Sequence, residues 1–131
     1  MLEKFFPDEY LDSTYSIDFE KLYRKGFRGI IFDIDNTLVP HGAPAAKRAE
    51  ELFERLKKIG FSCCLLSNNQ YERVSSFNQN IQVHFIENAH KPARKNYFRA
   101  MEIMGTDLRN TVFIGDQLFT DVYGAKRTGM Y

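Results

Sequence analysis

Tryptophan is absent from the 131-residue chain, proline occurs four times and cysteine twice. The two cysteines, Cys63 and Cys64, are neighbours inside an apolar run, so a disulfide that closes a loop is excluded. They read as small buried hydrophobes of a reducing compartment. Charge of either sign is also lacking in excess: 18 Lys and Arg face 17 Asp and Glu, a formal net charge of +1. That balance provides no bulk attraction to nucleic acid or to an anionic membrane, and no nucleic-acid partner is expected. No apolar run approaches the roughly 18 residues of a membrane span, and the N-terminus lacks the apolar core of a signal peptide. Repeats and low-complexity tracts are missing. What remains is ordinary globular composition, 44% hydrophobic and 27% charged, in a chain long enough for one domain and one core. A soluble, cytoplasmic domain is expected.

Four short apolar runs alternate with four longer amphipathic stretches. The runs are Gly29 to Ile34, Ser62 to Ser67, Val83 to Glu87 and Thr111 to Gly115. Three are nearly continuous in apolar residues, which suits parallel strands covered on both faces; Val83 to Glu87 is more mixed and suits an edge. Between them, Ala49, Leu52, Phe53, Leu56 and Ile59 mark one helix face over Ala45 to Ile59, ended by Gly60. Pro92 opens another helix that carries Phe98, Met101 and Met104 before Gly105 stops it. Gln70 to Phe77 and Phe119 to Thr128 read as weaker helices. This alternation predicts an α/β fold with a doubly wound, mainly parallel sheet and helices on both faces. Residues 1–28 differ. They form an aromatic-rich arm (Phe5, Phe6, Tyr10, Tyr15, Phe19, Tyr23) with a short helix from Asp18 to Lys25, ahead of a core over 29–131. Its acids and bases nearly balance, so it holds no polybasic anchor. Packing of the aromatics on the domain and a surface for a partner or lipid interface are both open to it.

The first strand delivers Asp33-Ile34-Asp35-Asn36-Thr37, two carboxylates spaced by two and therefore on one side of an extended chain. The fourth ends in Gly115-Asp116, with Asp121 five residues further on. Ligands of open α/β sheets bind at the carboxyl ends of strands, where the strand order reverses. If strands one and four are neighbours, Asp33, Asp35 and Asp116 converge there. Two carboxylates ~4 Å apart repel by about 4 kcal/mol at an effective dielectric of 20, so three need a cation or a proton among them. Oxygen donors without a Cys–His set select a hard ion, and a small set of carboxylates favours Mg²⁺ over a dedicated Ca²⁺ cage. An EF-hand is excluded, because no Glu stands at position 12 of a loop starting at Asp33 or Asp35. Taken singly, each Asp is an ordinary cap or turn residue; the combination at two strand ends is what singles them out. Ser67, followed by Asn68 and Asn69, offers a hydroxyl and turn amides to a phosphate oxygen. Lys91, at the third strand's end and ahead of a helix, is placed to counter the carboxylates and clamp a phosphate.

Asp33-x-Asp35-x-Thr37, Ser67, Lys91 and Gly115-Asp116 with Asp121 resemble, in order and spacing, the four motifs of the haloacid dehalogenase (HAD) superfamily. More narrowly, Phe5-Phe6-Pro7-Asp8-Glu9, Asp33 through Val39, Ser67-Asn68-Asn69, Lys91-Pro92 and Gly115 through Val122 are similar to the YqeG-type class IIIA phosphatases, which are related to phosphatidylglycerophosphatase. The resemblance spans essentially the whole chain and implies a HAD-like Rossmannoid fold and a Mg²⁺-dependent phosphomonoester hydrolase. Asp33 would be the nucleophile that forms an aspartyl-phosphate, and Asp35 the acid and base. Mg²⁺ would sit on the Asp33 carboxylate, the Asp35 backbone carbonyl and the Asp116 carboxylate, with Asp121 in support. Ser67, Asn68 and Lys91 would bind the phosphoryl group. Three departures stand out: His41 where relatives often carry Trp, an atypical turn over Asn78 to Gln82, and an end at Tyr131 where the family continues into a further strand.

No segment between Leu38 and Ser67, or between Ser67 and Lys91, is long enough for a cap. An open site suits a phosphate on something large, such as a lipid head group, with peripheral membrane contact. Lys91, Arg94, Lys95 and Arg99 lie close together with no acid between them, as a substrate-attracting rim or a solvated helix face. Two alternatives use the same scaffold: a phospho-accepting regulatory module resembling a receiver domain, which Asp35 argues against, and a non-catalytic partner-binding protein. Composition and motifs leave the physiological substrate and the oligomeric state open.

Overall fold

Gly29–Phe32 forms strand β1, buried along its whole length at the centre of a five-stranded sheet. The computed structural model describes residues 14–34, 37–40, 42–67, 70–87, 94–115 and 118–121. Around β1 the elements are α1 (Phe19–Arg24), α2 (Lys47–Ile59), β2 (Ser62–Leu66), α3 (Tyr71–Asn78), β3 (His84–Ile86), α4 (Arg94–Met104), β4 (Thr111–Gly115) and β5 (Leu118–Asp121). The sheet order is β3-β2-β1-β4-β5. The first four strands are parallel and β5 runs antiparallel to β4. This is the expected doubly wound α/β fold, and the strand order reverses at β1.

The pleat sorts alternate residues into two cores. Ile30, Phe32, Cys63, Leu65, Val112 and Ile114 face Phe19, Leu52, Phe53 and Leu56 from α1 and α2, with Val74 and Phe77 from α3. Ile31, Cys64, Leu66, Ile86 and Phe113 face Tyr97, Ala100, Met101 and Met104 from α4. Continuous apolar runs are therefore required in β1, β2 and β4, because both faces are dry. The Phe32 and Phe53 rings meet edge to face at 5.0 Å, which fixes α2 against β1.

Local signals set the helix ends. The Asp18 side chain accepts from the Lys21 N–H at 3.0 Å and caps α1. Gly60, at φ 121°, ends α2; a Cβ there would stand 2.8 Å from the Tyr23 hydroxyl, so only glycine fits under α1. Across the atypical Asn78–Gln82 turn, the Asn78 side chain brackets Val83: its amide donates to the Val83 carbonyl at 2.7 Å and its oxygen accepts the Val83 N–H at 2.9 Å. That bracket starts β3 at His84. One expectation fails. The helix expected from Phe119 begins instead as strand β5, with Leu118 opposite Gly115 and Asp121 opposite Val112. Only two residues separate β4 from β5, and an apolar stretch that returns so soon pairs with the strand it has just left. Residues 122–128 of that expected helix lie outside the described residues.

Burial pushes the Cys63 and Cys64 thiols up from 9.0 to about 12. The folded state thus holds these protons more tightly than the unfolded chain does. The associated stability is complete below pH 9 and is lost as pH rises from about 9 towards about 12. Urea midpoints are expected to stay level up to pH 8.5 and to fall above pH 9, with a shallower fall in the Cys63→Ala, Cys64→Ala double variant.

Candidate active site

The carboxyl edge of β2, β1 and β4 collects the first site residues. Phe32 pairs with Ile114, and the Asp33 N–H extends the ladder by donating to the Ile114 carbonyl at 3.0 Å. Asp33 therefore stands beside Gly115. Its Oδ2 lies 2.9 Å from the position a Cβ on residue 115 would occupy, and the Phe113 ring lies 2.7 Å from that position. Glycine at 115 is what leaves room for the carboxylate, immediately ahead of Asp116 in sequence. On the other side of β1, the Ser67 N–H donates to the Ile86 carbonyl at 3.1 Å, and Ser67 is buried. The pairing of Phe32 with Leu65 sets Ser67 one step beyond the level of Asp33 on the adjacent strand end. Asp33 and Ser67 are thus brought to one edge at the topological switch point.

Asp35, His41, Asn68, Lys91 and Asp116 lie outside the described residues. Asp121 lies on β5. Its backbone is opposite Val112, three residues back from Gly115, which at the rise of a strand is ~10 Å from the carboxyl edge. The Asp121 side chain lies outside the described residues, so only its backbone is placed, on the hairpin that replaced the expected helix.

Beyond Asp33 the chain turns tightly. The Ile34 carbonyl accepts from the N–H groups of Thr37, Leu38 and Val39 at 3.3, 3.0 and 3.4 Å. The Thr37 hydroxyl is buried and has no hydrogen-bond partner among the described residues. Sequence reasoning overlooked Tyr15, whose phenol donates to the Leu38 carbonyl at 2.8 Å. The Arg48 guanidinium lies over the Tyr15 ring, 3.8 Å from its centroid. Burial pushes this phenol up to about 12 against the opposing pull of Arg48. The aromatic richness of the arm was the available signal, but a bond across 23 positions of sequence has no local signature.

Among the described residues no three His, Cys, Asp or Glu side chains gather as a metal site; two of the expected donors, Asp35 and Asp116, are outside them. The donor chemistry that is present fits a hard cation: an aspartate oxygen with space kept beside it by Gly115, and a buried hydroxyl without a partner among the described residues. The only cysteines are buried in the two cores and remote from this chemistry.

Comparison with known proteins agrees with this geometry. Residues 88–131 match a family model described as HAD-hyrolase-like. Over its whole length the chain is 42% identical to "Probable phosphatase YqeG" of Bacillus subtilis (strain 168), covering 77% of that protein. The chain belongs to the YqeG family of HAD-like phosphatases. A more distant relative in Arabidopsis thaliana, "Phosphatidylglycerophosphate phosphatase 1, chloroplastic/mitochondrial", is 27% identical over 86% of this chain and 35% of its own length. Among solved structures, the "putative 3-deoxy-D-manno-octulosonate 8-phosphate phosphatase" from Vibrio cholerae superposes with a TM-score of 0.56 at 11% identity, over 72% of this chain and 57% of that one. That likeness carries the fold alone.

Because Gly115 makes room for Asp33, Gly115→Ala is expected to cut the phosphatase turnover of this family member about 10²-fold. Its melting temperature should change far less than its turnover, and parallel kinetic and thermal assays check this.

Proposed function

We propose that the chain is a Mg²⁺-dependent phosphomonoester hydrolase working through an aspartyl-phosphate on Asp33. The observation that supports this most is the Asp33 carboxylate at the carboxyl edge, held by the β1–β4 ladder and accommodated only because residue 115 is glycine. An Asp33 oxygen attacks phosphorus and the bond from phosphorus to the ester oxygen breaks, with Asp35 giving its proton to the leaving alkoxide. Asp35 then takes a proton from water. That water attacks phosphorus, the Asp33–phosphorus bond breaks, and inorganic phosphate departs. Ser67, Asn68 and Lys91 bind the phosphoryl oxygens. Mg²⁺ would be held by the Asp33 and Asp116 carboxylates and the Asp35 backbone carbonyl, and would supply the neutralisation that phosphoryl transfer chiefly demands.

The substrate is a large phosphorylated molecule, with a lipid head group such as phosphatidylglycerophosphate as the first choice. Two observations support that choice. From Leu38 to Ser67 the chain is committed to one loop, α2 and β2, so this stretch builds no cap over the edge. The Arabidopsis relative carries that substrate in its name. No helix among the described residues is long and apolar enough to cross a membrane; contact with a lipid surface would be peripheral, aided by Lys91, Arg94, Lys95 and Arg99. Lys95 and Arg99 are exposed on α4.

Purified protein is expected to release phosphate from p-nitrophenyl phosphate, to stop on chelation of divalent ions and to recover with Mg²⁺. Asp33→Asn should fall to the rate without enzyme, and Asp35→Asn by about 10²–10⁴-fold, both with unchanged circular dichroism. Full activity in Asp33→Asn would falsify the nucleophile. Preference for a sugar phosphate over phosphatidylglycerophosphate in vesicles would overturn the lipid substrate.

A further inference from the structure

The turn that follows Asp33 has two anchors. At one end, the Ile34 carbonyl gathers the N–H groups of Thr37, Leu38 and Val39. At the other, the Tyr15 hydroxyl donates to the Leu38 carbonyl at 2.8 Å. In sequence, Asp35, Asn36 and Thr37 stand between Ile34 and Leu38. Tyr15 comes from a segment that precedes β1 altogether, and it is itself held: its ring packs on the core cluster that includes Leu38 and Val39, and the Arg48 guanidinium covers it at 3.8 Å. A phenol raised to about 12 by burial keeps its proton throughout the working range of a phosphatase, so the donor is permanent.

We propose that Tyr15, steadied by Arg48, is a positioning residue for the reaction: its hydroxyl fixes the Leu38 carbonyl and thereby the short span that carries the acid–base Asp35. The inference rests on the proposed function for its chemistry and on the Tyr15–Leu38 bond for its geometry. Misplacing a proton donor matters most where the leaving group needs the proton most. An alkyl phosphate expels a strongly basic alkoxide, whereas a dinitrophenyl phosphate expels a weakly basic phenolate that departs without a proton. Loss of the clamp should therefore depend on the leaving group, which a general loosening of the fold would not produce.

The test is Tyr15→Phe in the full chain, which keeps the ring and its stacking and removes one oxygen. For an alkyl phosphate, kcat/KM is expected to fall between about 10- and 100-fold, and for 2,4-dinitrophenyl phosphate by less than about threefold. Hydrogen exchange at the Thr37, Leu38 and Val39 amides should speed up while the strand amides of β1 stay protected. Arg48→Gln should show the same pattern with a smaller amplitude. An equal loss for every leaving group, or unchanged exchange at those three amides, overturns the assignment. Failure of the underlying reaction is read separately: it appears as a wild-type chain that releases no phosphate, or as an active Asp33→Asn variant.

Discussion

The pairing of β1 with β4 is the constraint on which the site depends. These strands are far apart in sequence, yet the ladder runs in register from Gly29 opposite Thr111 to Phe32 opposite Ile114 and continues through the Asp33 N–H. Parallel pairing of this kind needs a buried, doubly covered sheet. The sequence answers with β-branched and aromatic residues on both faces of each strand. The reward for that register is chemical: the aspartate that follows one strand stands beside the glycine that ends another. A slip of one residue would turn Asp33 to the opposite face and end that juxtaposition.

Most of the scaffold was readable because its signals are local and repeated. Nearly continuous apolar runs at Gly29 to Ile34 and Thr111 to Gly115 marked two strands, the first observed two residues shorter and the second with the expected limits, and spacings of three and four through Leu52, Phe53 and Leu56 marked α2. Strand order was left as a condition, that strands one and four be neighbours for their terminal carboxylates to meet, and the structure pairs them. The convergence of Asp33 and Ser67 at one edge follows directly from that order. Family membership rested on the same handful of strand-end residues, and the full-length similarity to the Bacillus subtilis protein bears it out.

What escaped sequence reasoning was non-local. Leu118-Phe119-Thr120-Asp121 has too few residues to reveal a period, and the unpaired edge of β4 decided the matter by offering backbone partners at once. Tyr15 carried no mark distinguishing it from the other aromatics of the arm; only the folded chain brings its hydroxyl to Leu38. Phe19 is likewise fully buried in the same core as β1 and α2. The described part of the N-terminal segment is thus built into the domain by the hydrophobic effect, at sites whose partners lie far along the chain.

An edge with nothing folded across it from 38 to 67 also bears on which acceptor ends the reaction. On the proposed chemistry, an acyl phosphate formed on Asp33 waits for a second acceptor once the first product leaves. A covered pocket could hold a second alcohol in place and pass the group on, because it excludes competing water. Where no such pocket encloses the intermediate, water wins by abundance, and the proposed chemistry ends in hydrolysis and not in transfer of phosphate between alcohols.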